Sequence, residues 1–258
     1  MSTTTKPIQV EVTLRGNVGS GAGDYARTKI AKALGVAQGP VLSAYVVLDW
    51  RHDPAILVHA VAEASADVDG HVVRARTAAP SMVEAVDELE SRLRGQLVQL
   101  ADRNRTRHRW TGVAAAHEWR HGDLVRRPVP YFPRPAETRE VVRHKSFASE
   151  PMTVDEAAYE MDLLDHDFFL YRDAASGGPA LVHRRPDGGL GVAGVEQQET
   201  VAAVTYEPQP ATLTDDQARE RLEAADEPFV FYREAASGHG RVLYHRYDGH
   251  YGLIELTG

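Results

Sequence analysis

Phe168-Phe169-Leu170-Tyr171-Arg172-Asp173-Ala174-Ala175-Ser176-Gly177 returns, 61 positions later and without a gap, as Phe229-Val230-Phe231-Tyr232-Arg233-Glu234-Ala235-Ala236-Ser237-Gly238. The same shift lays Arg185-Pro186-Asp187-Gly188 on Arg246-Tyr247-Asp248-Gly249, and Gly191 on Gly252. Upstream it lays Thr153, Asp155 and Ala157 on Thr214, Asp216 and Ala218. A register held over about 40 residues marks an internal duplication. Each copy reads as a short helix and three strands. The helical stripes are Ala157, Met161 and Leu164 in the first copy and Ala218, Leu222 and Ala225 in the second. Turns fall at 174–177 and 235–238, and at Asp187-Gly188 and Asp248-Gly249. A unit of about 50 residues without disulfide or metal buries too little surface to stand alone, and its short sheet leaves edges open. Two copies on one chain meet at high effective concentration. The expectation is therefore a pseudo-dimer within one chain, paired through Phe168, Phe169, Tyr171, Phe229, Phe231, Tyr244 and Tyr251.

Outward from this tail, the N-terminal part reads as one α+β domain. Ile8, Val10, Val12 and Leu14 alternate with polar residues, the period of a half-buried strand. Arg15-Gly16-Asn17-Val18 and a Gly-rich stretch break it. Asp24 is a cap candidate for a helix ending at Leu34-Gly35, with Ala26, Ile30, Ala33 and Leu34 on one face. Val41–Trp50 and Ile56–Ala66 read as strands, and Asp69-Gly70 as a hairpin turn before a strand over Val72–Thr77. Ser81 and Glu84 form a capping box for a helix striped by Met82, Val86, Leu89, Leu93, Leu97 and Leu100. The order is β-α-β-β-β-α, with both helices on one face of a four-stranded sheet.

The charge is uneven. The net of −8 divides into −1 over 1–100, +6 over 101–145 and −13 over 146–258. A polyanion is attracted by the middle belt and repelled by the tail. Arg103, Arg105, Arg107 and Arg109 come at every second position and end at Trp110. That run reads either as a solvated helix end or as an RNA-contacting segment. Arg74 and Arg76 share a strand face that is either solvated or phosphate-contacting. Pro128, Pro130, Pro133 and Pro135 mark an extended spacer. The organisation is a domain over 1–105, a basic linker over 106–145, and modules over 146–200 and 201–258.

His117-Glu118-Trp119-Arg120-His121 has the H-E-x-x-H spacing of zinc hydrolases. Gly122 ends any helix directly after the second histidine, the run before it is short, and no third ligand has a diagnostic spacing. No metal, cofactor or catalytic residue is expected. The absence of cysteine excludes disulfides, iron–sulfur clusters and a thiol nucleophile and suits a reducing cytoplasm. No stretch approaches a membrane-spanning length, and Met1–Lys6 lacks the pattern of a secretory signal.

The tail motif His166-Asp167-Phe168-Phe169-Leu170-Tyr171-Arg172 with Asp187-Gly188 resembles the C-terminal domain of the long-form ribosome hibernation-promoting factors. So do Tyr244-His245-Arg246-Tyr247-Asp248-Gly249-His250-Tyr251-Gly252-Leu253-Ile254-Glu255, the lead-in residues Lys145-Ser146-Phe147 and Pro151-Met152, and, in the head, Arg15-Gly16-Asn17-Val18. The resemblance implies a non-enzymatic factor that binds the small ribosomal subunit and its rRNA near the decoding region, occupies the mRNA and tRNA sites, and silences translation during stress or dormancy. It places RNA contacts among Arg15, Arg27, Lys29, Lys32, Arg74, Arg76, Arg92, Arg94, Arg103, Arg105, Arg107 and Arg109. In that family a single tail module pairs between chains and joins two ribosomes. The doubled module here leads instead to a free monomer that holds single ribosomes inactive. The competing readings are the zinc hydrolase and a protein-interaction scaffold.

Overall fold

The computed structural model describes residues 8–52, 58–109, 134–196, 204–225 and 227–257, and the chain divides near residue 130 into two compact units.

The head contains β1 (Glu11–Arg15), α1 (Ala22–Leu34), β2 (Val41–Trp50), β3 (Ala60–Val68), β4 (His71–Ala79) and α2 (Met82–Arg109). The sheet order is β1-β2-β3-β4; β1 is parallel to β2 and the other pairs are antiparallel. Along β2, β3 and β4 alternate residues are buried, including Ala44, Val46 and Leu48, Ala62, Ala64 and Ala66, and Val73 and Ala75, whereas in β1 Val12 is only half-buried and Leu14 is exposed. The many alanines let the helices lie close to the sheet. They are met by Ala26, Ile30, Ala33 and Leu34 of α1 and by all six residues of the α2 stripe.

Three local features differ from the sequence reading or sharpen it. Gly21 at φ 84°, not Asp24, stands at the start of α1; Asp24 lies in its first turn. Ser81 Oγ accepts the Glu84 N–H at 3.2 Å, which caps α2 as expected. Asp69 and Gly70 carry φ of 53° and 84°, the paired left-handed residues of a tight hairpin. At Gly16, φ is 71° and a Cβ would stand 2.5 Å from the Trp50 carbonyl oxygen, so only glycine lets β1 leave across the end of β2. The helix α2 runs on past 105 to Arg109.

The tail contains β5 (Val141–Phe147), β6 (Pro151–Met152), α3 (Val154–Leu163), β7 (Phe168–Asp173), β8 (Pro179–Arg184) and β9 (Leu190–Ala193). The second copy repeats them as β10 (Val204–Tyr206), β11 (Ala211–Leu213), α4 (Asp215–Ala225), β12 (Phe229–Glu234), β13 (Gly240–His245) and β14 (Tyr251–Leu256). The expected three strands per module are present, but each sheet has five: β10-β9-β8-β7-β6 and β11-β12-β13-β14-β5.

The leading strand of each copy has crossed to the other. The β5 strand, which precedes copy one, runs parallel to β14 of copy two. The β10 strand, which precedes copy two, runs parallel to β9 of copy one. The linker expected over 106–145 therefore ends in a strand. Its residues Val141 to Lys145 are ordered because β14 supplies the ladder that no local partner offers. Ala157, Ala158 and Met161 of α3 are buried, Leu164 is half-buried, and Ala225 of α4 is exposed. Among the described residues no helix is long and apolar enough to cross a membrane.

Candidate functional site

On the head, the three cations expected to contact RNA from α1 are already matched by carboxylates. Lys29 Nζ lies 2.7 Å from Asp87 Oδ1 and 3.4 Å from Glu90 Oε2, and Lys32 Nζ lies 3.6 Å from Glu90 Oε1. Arg27 pairs with Asp24. The bond to Asp87 raises the Lys29 ammonium above its ordinary value, and bonds from Lys29 and Tyr25 hold the Asp87 carboxyl low. The resemblance places Arg27, Lys29 and Lys32 among the RNA contacts, where unpaired cations are expected. The partners of the two lysines come from α2, some sixty positions on, and no local pattern announces them.

Arg92 donates to the Arg76 carbonyl at 2.5 Å, a tether between α2 and β4. Arg74 is exposed on the face of β4 away from the helices, opposite Ser65, which in turn stands opposite Tyr45. Tyr45 is 49% exposed, so an aromatic ring and a guanidinium share one open row of the sheet. Arg15, Arg74 and Arg94 are exposed and, among the described residues, have no carboxylate in ion-pair reach. Arg103, Arg105, Arg107 and Arg109 lie on the last turns of α2, and their side chains fall outside the described residues. The H-E-x-x-H stretch at 117–121 also falls outside them. Among the described residues no group of three His, Asp or Glu is placed to hold a metal.

On the tail, the two copies press their sheets together. Leu170, Leu181, Val242 and Leu256 form a buried cluster from both copies, with Phe147, Phe168, Phe229, Phe231 and Ile254 packed against it. Phe168 of copy one lies 4.9 Å from the Phe229 ring and 5.5 Å from the Tyr244 ring of copy two. His183 of copy one meets Phe229 edge-on at 5.3 Å. The structure thus brings Phe168, Phe229, Phe231 and Tyr244 together between the copies.

Phe169, Tyr171 and Tyr251 are placed differently. Strand side chains alternate, so the neighbours of the inward residues turn to the opposite face. Tyr251 and Tyr232 belong to the separate core that copy two forms with Ala218 and Leu222 of α4. Tyr171 and Phe169 follow the same parity in copy one. Ile254, Leu256, Leu170 and Val242, absent from the sequence-based set, are the residues of correct parity. The alternation along β7, β13 and β14 is the signal that identifies them.

Each crossed strand is also fastened by polar contacts. Glu207, just after β10, lies 2.9 Å from His183 Nε2. A Cβ on Gly191 would stand 2.1 Å from that ring nitrogen, so glycine is required beneath it. In copy two the same place is taken by Tyr244 over Gly252, where a Cβ would stand 2.3 Å from the ring. There Glu255 accepts from Ser146 of β5 at 3.1 Å, from Arg241 at 2.8 Å, and lies 3.0 Å from His239 Nδ1. Burial alone would raise the Glu255 carboxyl, but bonds from His239 and Arg241 hold it down at about 2.

Comparison with known proteins agrees with this geometry. The family model described as Sigma 54 modulation protein / S30EA ribosomal protein matches residues 9–105. The model for the Sigma 54 modulation/S30EA ribosomal protein C terminus matches twice, over 136–192 and 196–253. The chain belongs to the long-form ribosome hibernation-promoting factors.

Within this family, the dormancy associated translation inhibitor of Mycobacterium tuberculosis is 33% identical over 160 residues, covering 57% of this chain and 58% of that relative. The chain thus matches little more than half the length of that protein. The ribosome hibernation promotion factor of a Picosynechococcus strain is 27% identical over 173 residues, covering 66% of this chain and 87% of the relative. A solved N-terminal domain of Thermus thermophilus Protein Y is 23% identical, with a TM-score of 0.31, and the match covers 36% of this chain and 99% of that one.

Proposed function

We propose that the chain is a hibernation factor that binds the small ribosomal subunit near the decoding region, blocks the mRNA and tRNA sites with its head, and holds single ribosomes inactive. Family membership supports ribosome association and translation inhibition. The exposed cations Arg15, Arg74 and Arg94 support phosphate contacts by the head, with the Arg103–Arg109 run as the second contributor. Such contacts release counterions, so affinity falls steeply with salt.

The observation that carries the single-ribosome reading is the mutual burial of the two tail copies. The apolar faces of the two modules are consumed against each other inside this chain, by Phe168 and Leu170 against Phe229, Tyr244 and Leu256. The exchanged strands β5 and β10 close the same union.

The test is sucrose-gradient sedimentation of ribosomes saturated with the protein, alongside light scattering of the free chain and a cell-free translation assay. A monomer that cosediments with single particles and lowers translation is the expected result. A stable homodimer with abundant paired ribosomes overturns the single-ribosome reading, and failure to cosediment overturns ribosome binding itself.

A further inference from the structure

The crossed strand β5 carries cations that its structural duty does not require. By the 61-residue shift, Arg143, His144 and Lys145 of β5 correspond to Val204, Thr205 and Tyr206 of β10. Both strands do the same work: each lies at a sheet edge, parallel to the last strand of the other copy. The β10 strand does it without a charge, so the fold of the pseudo-dimer gives no reason for the cations of β5.

Five other basic residues of the tail are matched by carboxylates, whereas Arg172, Arg221 and Arg233, among the described residues, are not. Arg139 is bound by Glu223, Arg185 by Asp187, Arg219 by Asp216, Arg241 by Asp215 and Glu255, and Arg246 by Asp248. His144 and Ser146 turn to one side of β5, where they face Glu255. Arg143 and Lys145 turn to the other side. Both are exposed, and among the described residues neither has a carboxylate in reach. Lys145 Nζ is steadied 5.7 Å above the Phe147 ring, while Phe147 is anchored in the inter-copy core. The two cations stand about 7 Å apart, two residues along a strand, at a sheet edge where, among the described residues, no further strand is paired. They continue, onto the folded tail, the basic belt that precedes them in sequence.

We propose that the β5 edge is a second RNA-binding strip, with Arg143 and Lys145 contacting neighbouring phosphates of ribosomal RNA. This inference rests on the reading of the chain as a ribosome binder. It gives the tail of net charge −13 over 146–258 one fixed side that RNA attracts, so the tail is oriented as well as tethered on the ribosome.

The alternative duty of edge-strand charges is to prevent edge-to-edge aggregation, and the test separates the two. Arg143→Glu with Lys145→Glu keeps a charged edge. It is expected to leave the chain monomeric and folded, and to weaken ribosome binding roughly tenfold or more in about 100 mM salt. Arg143→Gln with Lys145→Gln should make the log–log salt dependence shallower by about 1.5. Exchange of the two residues, Arg143→Lys with Lys145→Arg, should restore both. A photo-crosslinking residue at 143 should label ribosomal RNA in the intact complex. If the wild type binds ribosomes and the glutamate and glutamine variants match it in affinity and salt slope, the strip is overturned while the parent reading stands. Crosslinks to ribosomal protein alone also overturn it. If the wild type does not bind ribosomes at all, the parent reading has failed.

Discussion

The two tail copies share a topology and differ in what holds it. Copy two carries a connected polar network on the helix side of its sheet. Arg241 donates to both Asp215 and Glu255, Tyr232 donates to Asp215, and Ser146 of the crossed strand donates to Glu255. In copy one the matching positions are Ala180 for Arg241, Val154 for Asp215 and Gly194 for Glu255, and the crossed strand is held by the His183–Glu207 contact instead. Once duplicated, the halves no longer needed to be self-complementary. Each has only to fit the other, so each can lose contacts that the other retains.

The largest effect should follow from breaking that dependence outright. Deletion of everything after Thr200 removes β10 from β9, strips β5 of β14, and bares Phe147, Phe168, Leu170 and Leu181. The shortened chain should not give a folded monomer. Light scattering should report dimers or aggregates, with exposed apolar surface seen by dye binding. A monomer with a cooperative melting transition and native circular dichroism in the tail would show that copy one does not need copy two.

A smaller loss tests the network on one side of the comparison. Glu255→Gln keeps the shape but removes the charge that Arg241 and His239 face, and should cost about 2 kcal/mol in denaturant unfolding. Its pH signature is specific. The Glu255 carboxyl is held at about 2, below its ordinary 4.5. A depressed folded value means the stabilisation is complete above the ordinary value and is lost as pH falls through the folded one. Wild-type melting temperature should therefore drop between pH 4.5 and 2, and the variant should drop less. Identical acid profiles would remove Glu255 from the account. Copy one, with Gly194 at this position, contributes nothing to the effect.

These contrasts show which parts of the molecule were legible in its sequence. The α2 stripe, the Asp69-Gly70 hairpin and the duplication are local or periodic, and each is readable from spacing alone. Strand exchange is not local. Nothing in Val141–Phe147 says whether its partner is the strand of its own copy or of the other, because both end in similar residues. The aromatic pairing set is half legible: Phe168, Phe229, Phe231 and Tyr244 lie between the sheets, but residue type alone also points to Phe169, Tyr171 and Tyr251, where parity decides otherwise. The cations of α1 show the same limit from the side of charge, since Asp87 and Glu90 neutralise them from a helix distant in sequence.

The finest test sets one tyrosine against its duplicate. Tyr232 and Tyr171 occupy equivalent positions, and both are fully buried. Burial pushes both hydroxyls above the ordinary phenol value; at Tyr232 the bond to Asp215 adds to the rise. The Tyr232 hydroxyl donates to Asp215 at 2.5 Å. At Tyr171 the position of that carboxylate is held by Val154, and among the described residues the hydroxyl has no partner. A buried hydroxyl without a bond carries its desolvation cost uncompensated, whereas one bound to a carboxylate returns more than that cost. Tyr232→Phe should therefore destabilise by about 1.5 kcal/mol, while Tyr171→Phe should be neutral or slightly stabilising. The sharper variant is Val154→Asp, which restores to copy one the acceptor that copy two has kept. In the wild type it should gain less than the Tyr232 bond is worth, because copy one has Ala180 where Arg241 balances Asp215. In the Tyr171→Phe background the same aspartate has no hydroxyl to receive and should only destabilise. Equal losses from the two Tyr→Phe changes in thermal unfolding would mean that the copies differ in sequence but not in the energetics of this site.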